Sequence, residues 1–256
     1  MNFKTFFAML ARDAHVARRN LIPILIQTLF QPLIFVFIFG QVMTRGGLLP
    51  AEYKTLLLPG IVAISMVLSG IWSVAIPLIG EFQFSREIED RLLAPIRIEW
   101  VAIEKVAYGM LLALVAGLVV IPAAWLLMGM GAELDFGRPL FLAALSLLVA
   151  LMAAAGGLLL GSTVGQMQIG LMFTLVVGPM IFFGCAYYPW STLDEFPILQ
   201  KVVLINPLVY AAEGFRGALV PTSSHLPLPA ILVALLLTDL LLLALGIRQF
   251  RRKAIG

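Results

Sequence analysis

The chain has 256 residues, of which 61% are hydrophobic and only 12% charged. Soluble domains carry about a quarter charged residues, so this balance excludes an ordinary soluble enzyme and a disordered chain. Its net charge of +3 looks like a nucleic-acid signal, but here the placement of the charges matters more than their sum, and no nucleic-acid partner is expected. A single cysteine, Cys185, cannot form an internal disulfide. These features describe an integral membrane protein.

The predicted elements run as follows in chain order. Residues 1–20 are too polar to span, yet Phe3, Phe6, Phe7, Leu10 and Val16 gather on one side at helical spacing. Lys4, Arg12, Arg18 and Arg19 take the other side or the end, the pattern of a helix lying in the membrane interface. Residues 21–43 carry no ionisable group and are long enough to cross about 30 Å of hydrocarbon. That run is span-length and lacks a small-residue cleavage site, so it reads as a span and not a signal peptide. Residues 55–80 and 106–131 give two more spans. The charge-free stretch 139–193 is too long for one helix; its glycine-rich, polar section 161–170 divides it into spans at 139–162 and 169–187. A sixth span covers 229–247. Backbone groups in lipid must be satisfied within the segment, which makes all six helices.

Lysine and arginine set the orientation. Twelve of the 17 fall in the N-terminus, the 81–105 connection and the C-terminus, against five in the alternate connections. Both termini are therefore expected in the cytoplasm.

The 81–105 connection mixes charges of both signs. Ser85 caps a predicted short helix with Arg86, Glu87, Glu89 and Asp90 in its first turns, followed by Arg91. Ile88, Leu92 and Leu93 form a narrow apolar edge, and Pro95 stops the helix. Such a helix between two spans is suited to docking a soluble partner.

On the opposite side, Thr192-Leu193-Asp194-Glu195 has a capping-box pattern for a helix over 193–205. A second helix is predicted over 208–219, after Asn206-Pro207. Both are apolar and too short to cross, as re-entrant or interfacial segments are. Glu213 and Arg216 stand three apart there and read as a surface ion pair worth under about 1 kcal/mol. Tyr187, Tyr188, Trp190 and Tyr210 read as interface anchors at the outer boundary.

Ala153, Gly157, Gly161 and Gly165 recur every four residues and give one helix face of small side chains. It serves close packing either within one subunit or between two. Asp239 is the sole acid inside a predicted span, open to pairing with a neighbouring polar group, to protonation, or to an ion-coupling role.

Covalent chemistry finds no support. No glycine precedes a lysine, so there is no phosphate loop, and neither HExxH nor GxSxG occurs. His15 and His225 fall on opposite sides of the membrane, and Cys185 reads as a small core residue. No catalytic, cofactor or metal site is expected in the chain, and the driving energy must come from an ion gradient or from a partner.

Four stretches resemble the membrane subunit of ABC-2-type exporters. They are Leu58-Pro59-Gly60, the loop FSREIEDRLLAPIRIEW with Glu104-Lys105, Phe182-Phe183-Gly184 through Tyr188-Pro189, and Ile205-Asn206-Pro207-Leu208-Val209-Tyr210 with Glu213 and Arg216. Gly184-Cys185-Ala186 departs from the family pattern by its cysteine. The resemblance implies a single all-α transmembrane domain over 1–256, with six spans, an N-terminal interfacial helix, a cytoplasmic coupling helix and two re-entrant outer helices. It implies a bacterial inner-membrane permease that pairs as a homodimer over two separate ABC ATPase subunits, which bind ATP and Mg2+. The 1–20 helix and residues 85–95 would contact the ATPases. The expected cargo is a drug or other amphipathic small molecule moved outward. A polysaccharide or lipid-linked glycan is the alternative within that mechanism, disfavoured because the short connections leave no room for a carbohydrate-binding module. An ion-coupled secondary transporter centred on Asp239 is the alternative of a different class, and a non-transporting scaffold a third.

Overall fold

The computed structural model describes residues 3–19, 21–50, 52–82, 97–128 and 134–255, and among these every regular element is helical. Helix α1 (Phe3–Arg19) is followed by α2 (Leu21–Phe37), which widens into a π-helical turn over Ile38–Met43. Then come α3 (Tyr53–Gly80), α4 (Ile98–Met128) and α5 (Pro139–Thr163). Helix α6 (Ile169–Phe182) has a π-helical centre at Phe173–Val177. Two short helices, α7 (Pro197–Val202) and α8 (Pro207–Leu219), precede the last, α9 (Leu228–Ile255). By length and composition α3, α4, α5 and α9 are each long and apolar enough to cross a membrane, while Leu29–Met43 and α6 are shorter apolar helices.

Helix α3 is the hub. Nineteen of its residues are buried, including the unbroken run from Leu57 to Ile71, as expected of a helix apolar all round. It packs against α4, α5 and α8, and α9 packs along the far side of α5. The α3–α5 seam is formed by the small-residue stripe. A Cβ on Gly70 would meet the Ala153 Cβ at 2.5 Å, and one on Gly157 or Gly161 would meet the Ile71 carbonyl oxygen or Ala75 Cα within 2.9 Å. Backbones this close maximise dispersion contact where lipid supplies no hydrophobic drive. Ala153, Gly157 and Gly161 therefore face α3 of the same chain. Gly165 does not continue the stripe, because α5 ends at Thr163 and Gly165 belongs to the turn that follows.

Long-range contacts sort the helix ends into two sets. At one end Lys105 meets Asp13 and Glu81, Lys253 donates to the carbonyls of Gly161 (3.2 Å) and Val164 (3.4 Å), and Arg251 lies 3.7 Å from Glu99. At the other, Tyr53 donates to the Tyr187 carbonyl at 2.6 Å, the Asp135 amide to Leu219 at 2.8 Å, and Gln41 to Leu127 at 2.5 Å. The π-helical turn of α2 carries Gln41 inward, and Leu127 offers one of the last carbonyls of α4, which have no intrahelical donor.

Several boundaries differ from the sequence reading, each for a local reason. Helix α4 begins at Ile98, eight residues before the predicted span, because Lys105 is neutralised by two carboxylates and so does not end the helix. Helix α9 continues past residue 247 to Ile255, its basic residues lying at the terminus that the helix dipole favours for cations. Helix α6 stops at Phe182, not at residue 187, and Cys185 lies beyond it in a turn with left-handed backbone (φ 52°). The capping box at Thr192 caps nothing: residues Trp190–Glu195 form a 3-10 turn, and Pro197 starts a separate helix after a non-helical Phe196 (φ −123°, ψ 71°).

Candidate functional site

Two polar nodes are built into this apolar scaffold, one at each end of the bundle. The first belongs to α8, where Asn206 caps the helix. Its Oδ1 accepts from the Leu208 amide at 3.0 Å, while its Nδ2 donates to the Met180 carbonyl at 2.7 Å, tying α8 to α6. Pro207 occupies the first helical position, where a missing N–H costs nothing. The Tyr210 hydroxyl donates to the Leu204 carbonyl at 2.9 Å and fixes the 99° bend between Pro197–Ile205 and α8.

Helix α8 is too short to cross, yet eleven of its 13 residues are buried. Among them are Glu213 and Arg216, with side chains 1% and 0% exposed. The surface-pair reading of these residues is therefore wrong: they form an ion pair in the protein interior. Glu213 Oε1 accepts from Arg216 and from the Trp190 amide at 3.0 Å, and Oε2 accepts from the Leu226 amide at 3.2 Å. Arg216 also donates to the Cys185 carbonyl at 3.1 Å. The left-handed backbone at Cys185 is thus held by a charged donor, and Cys185 itself is fully buried. Together the pair fastens α8 to the turn after α6, the 3-10 turn at Trp190 and the segment leading into α9.

The motif Leu58-Pro59-Gly60 lies against this region. A Cβ at Gly60 would stand 1.7 Å from the Ala186 carbonyl oxygen, so only glycine lets the post-α6 turn rest on α3. Of the four aromatics expected as anchors, all make specific contacts. Tyr187 packs on Phe35 with ring centres 4.8 Å apart, Tyr188 donates to the Phe182 carbonyl at 3.0 Å, and Trp190 donates to the Gln200 carbonyl at 3.0 Å; Tyr210 holds the bend.

Beside the node, a cavity of about 500 Å3 opens between α6 and the α7–α8 bend. Leu175, Val176, Met180, Phe183 and Val202 line it, with Asn206 as its one polar side chain. Ile205, which also lines it, is exposed, as are Phe196 and Ile198 nearby in the chain.

The second node was not anticipated. Lys105, 4% exposed, donates to Asp13 Oδ2 at 3.0 Å and to Glu81 Oε1 at 2.5 Å. It joins α1, the end of α3 and the start of α4, and Phe6 of α1 packs edge-on against Trp100 of α4. Lys105 thus anchors α1 to both ends of the 81–105 connection. The coupling residues themselves (Ser85, Arg86, Glu87, Ile88, Glu89, Asp90, Arg91, Leu92 and Pro95) lie outside the described residues.

Asp239 sits on the buried stripe of α9, 1% exposed, and neither of its carboxylate oxygens has a hydrogen-bond partner among the described residues. Among the described residues no neighbouring polar group pairs with it.

A helical membrane domain with these motifs in these places defines an ABC-2 type permease. The family model for ABC-2 type transporters matches residues 4–220, and the chain belongs to that family. It is also 27% identical, over 75% of its length and 75% of theirs, to the "Inner membrane transport permease YadH" of Escherichia coli K12 and to the proteins of the same name from Escherichia coli O157:H7 and Shigella flexneri. The chain is a multi-pass transport permease of that family.

Proposed function

We propose that this chain is the inner-membrane permease of an ABC exporter, crossing six times with both termini in the cytoplasm. Two copies would sit over two separate ATPase subunits that bind ATP and Mg2+. The division of contacts into two ends supports the six crossings: α1, the ends of the 81–105 connection, the 164–168 turn and the tail of α9 share one end, as an even number of crossings requires. Helix Leu29–Met43 and helix α6 supply the two shorter crossings.

The observation that carries the reading is the buried Lys105 node. An ATPase gripping residues 85–95 would push on a connection whose two ends, Glu81 and Lys105, are bonded to each other and to α1. The push then moves α3 and α4 as one body, and through the close α3–α5 seam it reaches α8 and the outer node. The apolar cavity beside the bend supports a hydrophobic or amphipathic cargo over a polysaccharide or lipid-linked glycan, since only Asn206 offers it a polar contact. The polypeptide that engages residues 85–95 is testable by co-purification. Glu87→Lys with Glu89→Lys should abolish recovery of a co-expressed ABC ATPase with this chain while the permease still inserts. Undiminished recovery would contradict the docking role.

A further inference from the structure

The chain's C-terminal cations divide into two groups by what they touch. Lys253 covers the carbonyls of Gly161 and Val164 at the end of α5 and lies 4.8 Å from the centre of the Phe82 ring. Arg251 faces Glu99 at 3.7 Å. Arg248 and Arg252, one turn apart on α9, have no ionic or hydrogen-bond partner among the described residues. Both line a cavity of about 470 Å3 whose other walls are Gln249, Leu159 of α5 and Leu245 of α9.

The depth of this cavity follows from helix geometry. Helix α9 has 28 residues, about 42 Å at 1.5 Å per residue, against about 30 Å of hydrocarbon. Counted from Leu228, the hydrocarbon is used up near residue 247. Leu245 and Leu159 therefore border the acyl region, and Arg248 and Arg252 stand at the level of the phosphates. Lys253 covers the α5 carbonyls that would otherwise repel an anion there.

We propose that this cavity holds the headgroup of an anionic phospholipid: its phosphodiester between Arg248 and Arg252, its glycerol hydroxyls toward Gln249, and its first acyl carbons on Leu159 and Leu245. A basic recess between helices at headgroup depth has the chemistry for such a lipid, and two guanidiniums a turn apart can share one phosphate. The site needs only that the bundle spans a bilayer; it does not depend on the direction of transport or on the ATPase.

The test uses the full-length chain purified in neutral detergent and titrated with phosphatidylglycerol or phosphatidylcholine of the same acyl chains, bound lipid being counted by native mass spectrometry. The chain should retain phosphatidylglycerol in preference to phosphatidylcholine. Arg248→Gln with Arg252→Gln should weaken that binding about tenfold. Leu159→Trp, which fills the recess and keeps both charges, should weaken it as well. Lys54→Gln with Lys201→Gln removes the same charge at the other end of the bundle and should leave it intact. Equal loss in that control, or full binding by Leu159→Trp, would overturn the site. Displacement of the lipid by millimolar inorganic phosphate would also overturn it, in favour of a soluble anion.

Discussion

The interior position of the Glu213–Arg216 pair makes a quantitative demand on stability. Glu213→Ala strands the Trp190 and Leu226 amides, at about 1–3 kcal/mol each. It also leaves a guanidinium buried without its counter-ion, at about 3–5 kcal/mol. These terms overlap, so the expected loss is about 5 kcal/mol, comparable with the whole stability of a marginal domain. Arg216→Met should cost less, about 3 kcal/mol, because Glu213 keeps both amide donors. The double variant Glu213→Leu with Arg216→Met removes both charges together and should be more stable than Glu213→Ala alone. Denaturation in mixed micelles with increasing dodecyl sulfate, followed by circular dichroism, measures all three. An exposed pair behaves differently: each single substitution would cost under about 1 kcal/mol and the two would add. That outcome would refute the buried node.

Three further outcomes are expected. Gly60→Ala should lower the midpoint of the same unfolding curve by about 2 kcal/mol or more, because the Ala186 carbonyl oxygen 1.7 Å from the new Cβ is backbone and cannot rotate away; an unchanged midpoint contradicts the close approach. Lys105→Met should cost about 3 kcal/mol by leaving Glu81 and Asp13 buried without their cation. It should also expose α1 to limited proteolysis and uncouple ATP hydrolysis from transport, whereas a restrained α1 would count against the node. Asp239→Asn keeps the side-chain shape at a site where the carboxylate makes no hydrogen bond, so ATP-dependent transport should persist; its abolition in vesicles would favour an ion-coupled mechanism.

Much of this architecture can be read from the order of residues, because a span announces itself by an apolar run of fixed length. Helices α3, α4, α5 and α9 were visible in that way. At α4 the helix runs beyond the predicted span: Lys105 ends the charge-free run, yet the helix extends back to Ile98, and the partner of Lys105, Asp13, lies 92 residues away. The small-residue stripe was legible as a close-packing face, but its partner was not; Gly70, Ile71 and Ala75 become its neighbours only through the fold. Local chemistry misled at Thr192, where a capping box was overridden by Pro197, which can begin a helix but cannot accept a continuing one. At the outer node, the spacing of Glu213 and Arg216 said only that they could pair. Their burial depends on Trp190, Leu226 and Cys185 closing around them, contacts that no helical period encodes. The left-handed Cys185 was invisible for the same reason: glycine usually marks such a conformation, and here Arg216 holds it instead.

The central claim is that this permease has no motor of its own and is driven through the connection between α3 and α4. The direct measurement is uptake of a fluorescent amphipathic dye into sealed inside-out vesicles, using the purified chain with and without an ABC ATPase that co-purifies with it. The account predicts accumulation only when the ATPase and hydrolysable ATP are both present, and loss of accumulation with Lys105→Met. Concentrative uptake by the chain alone, without ATP, would contradict it.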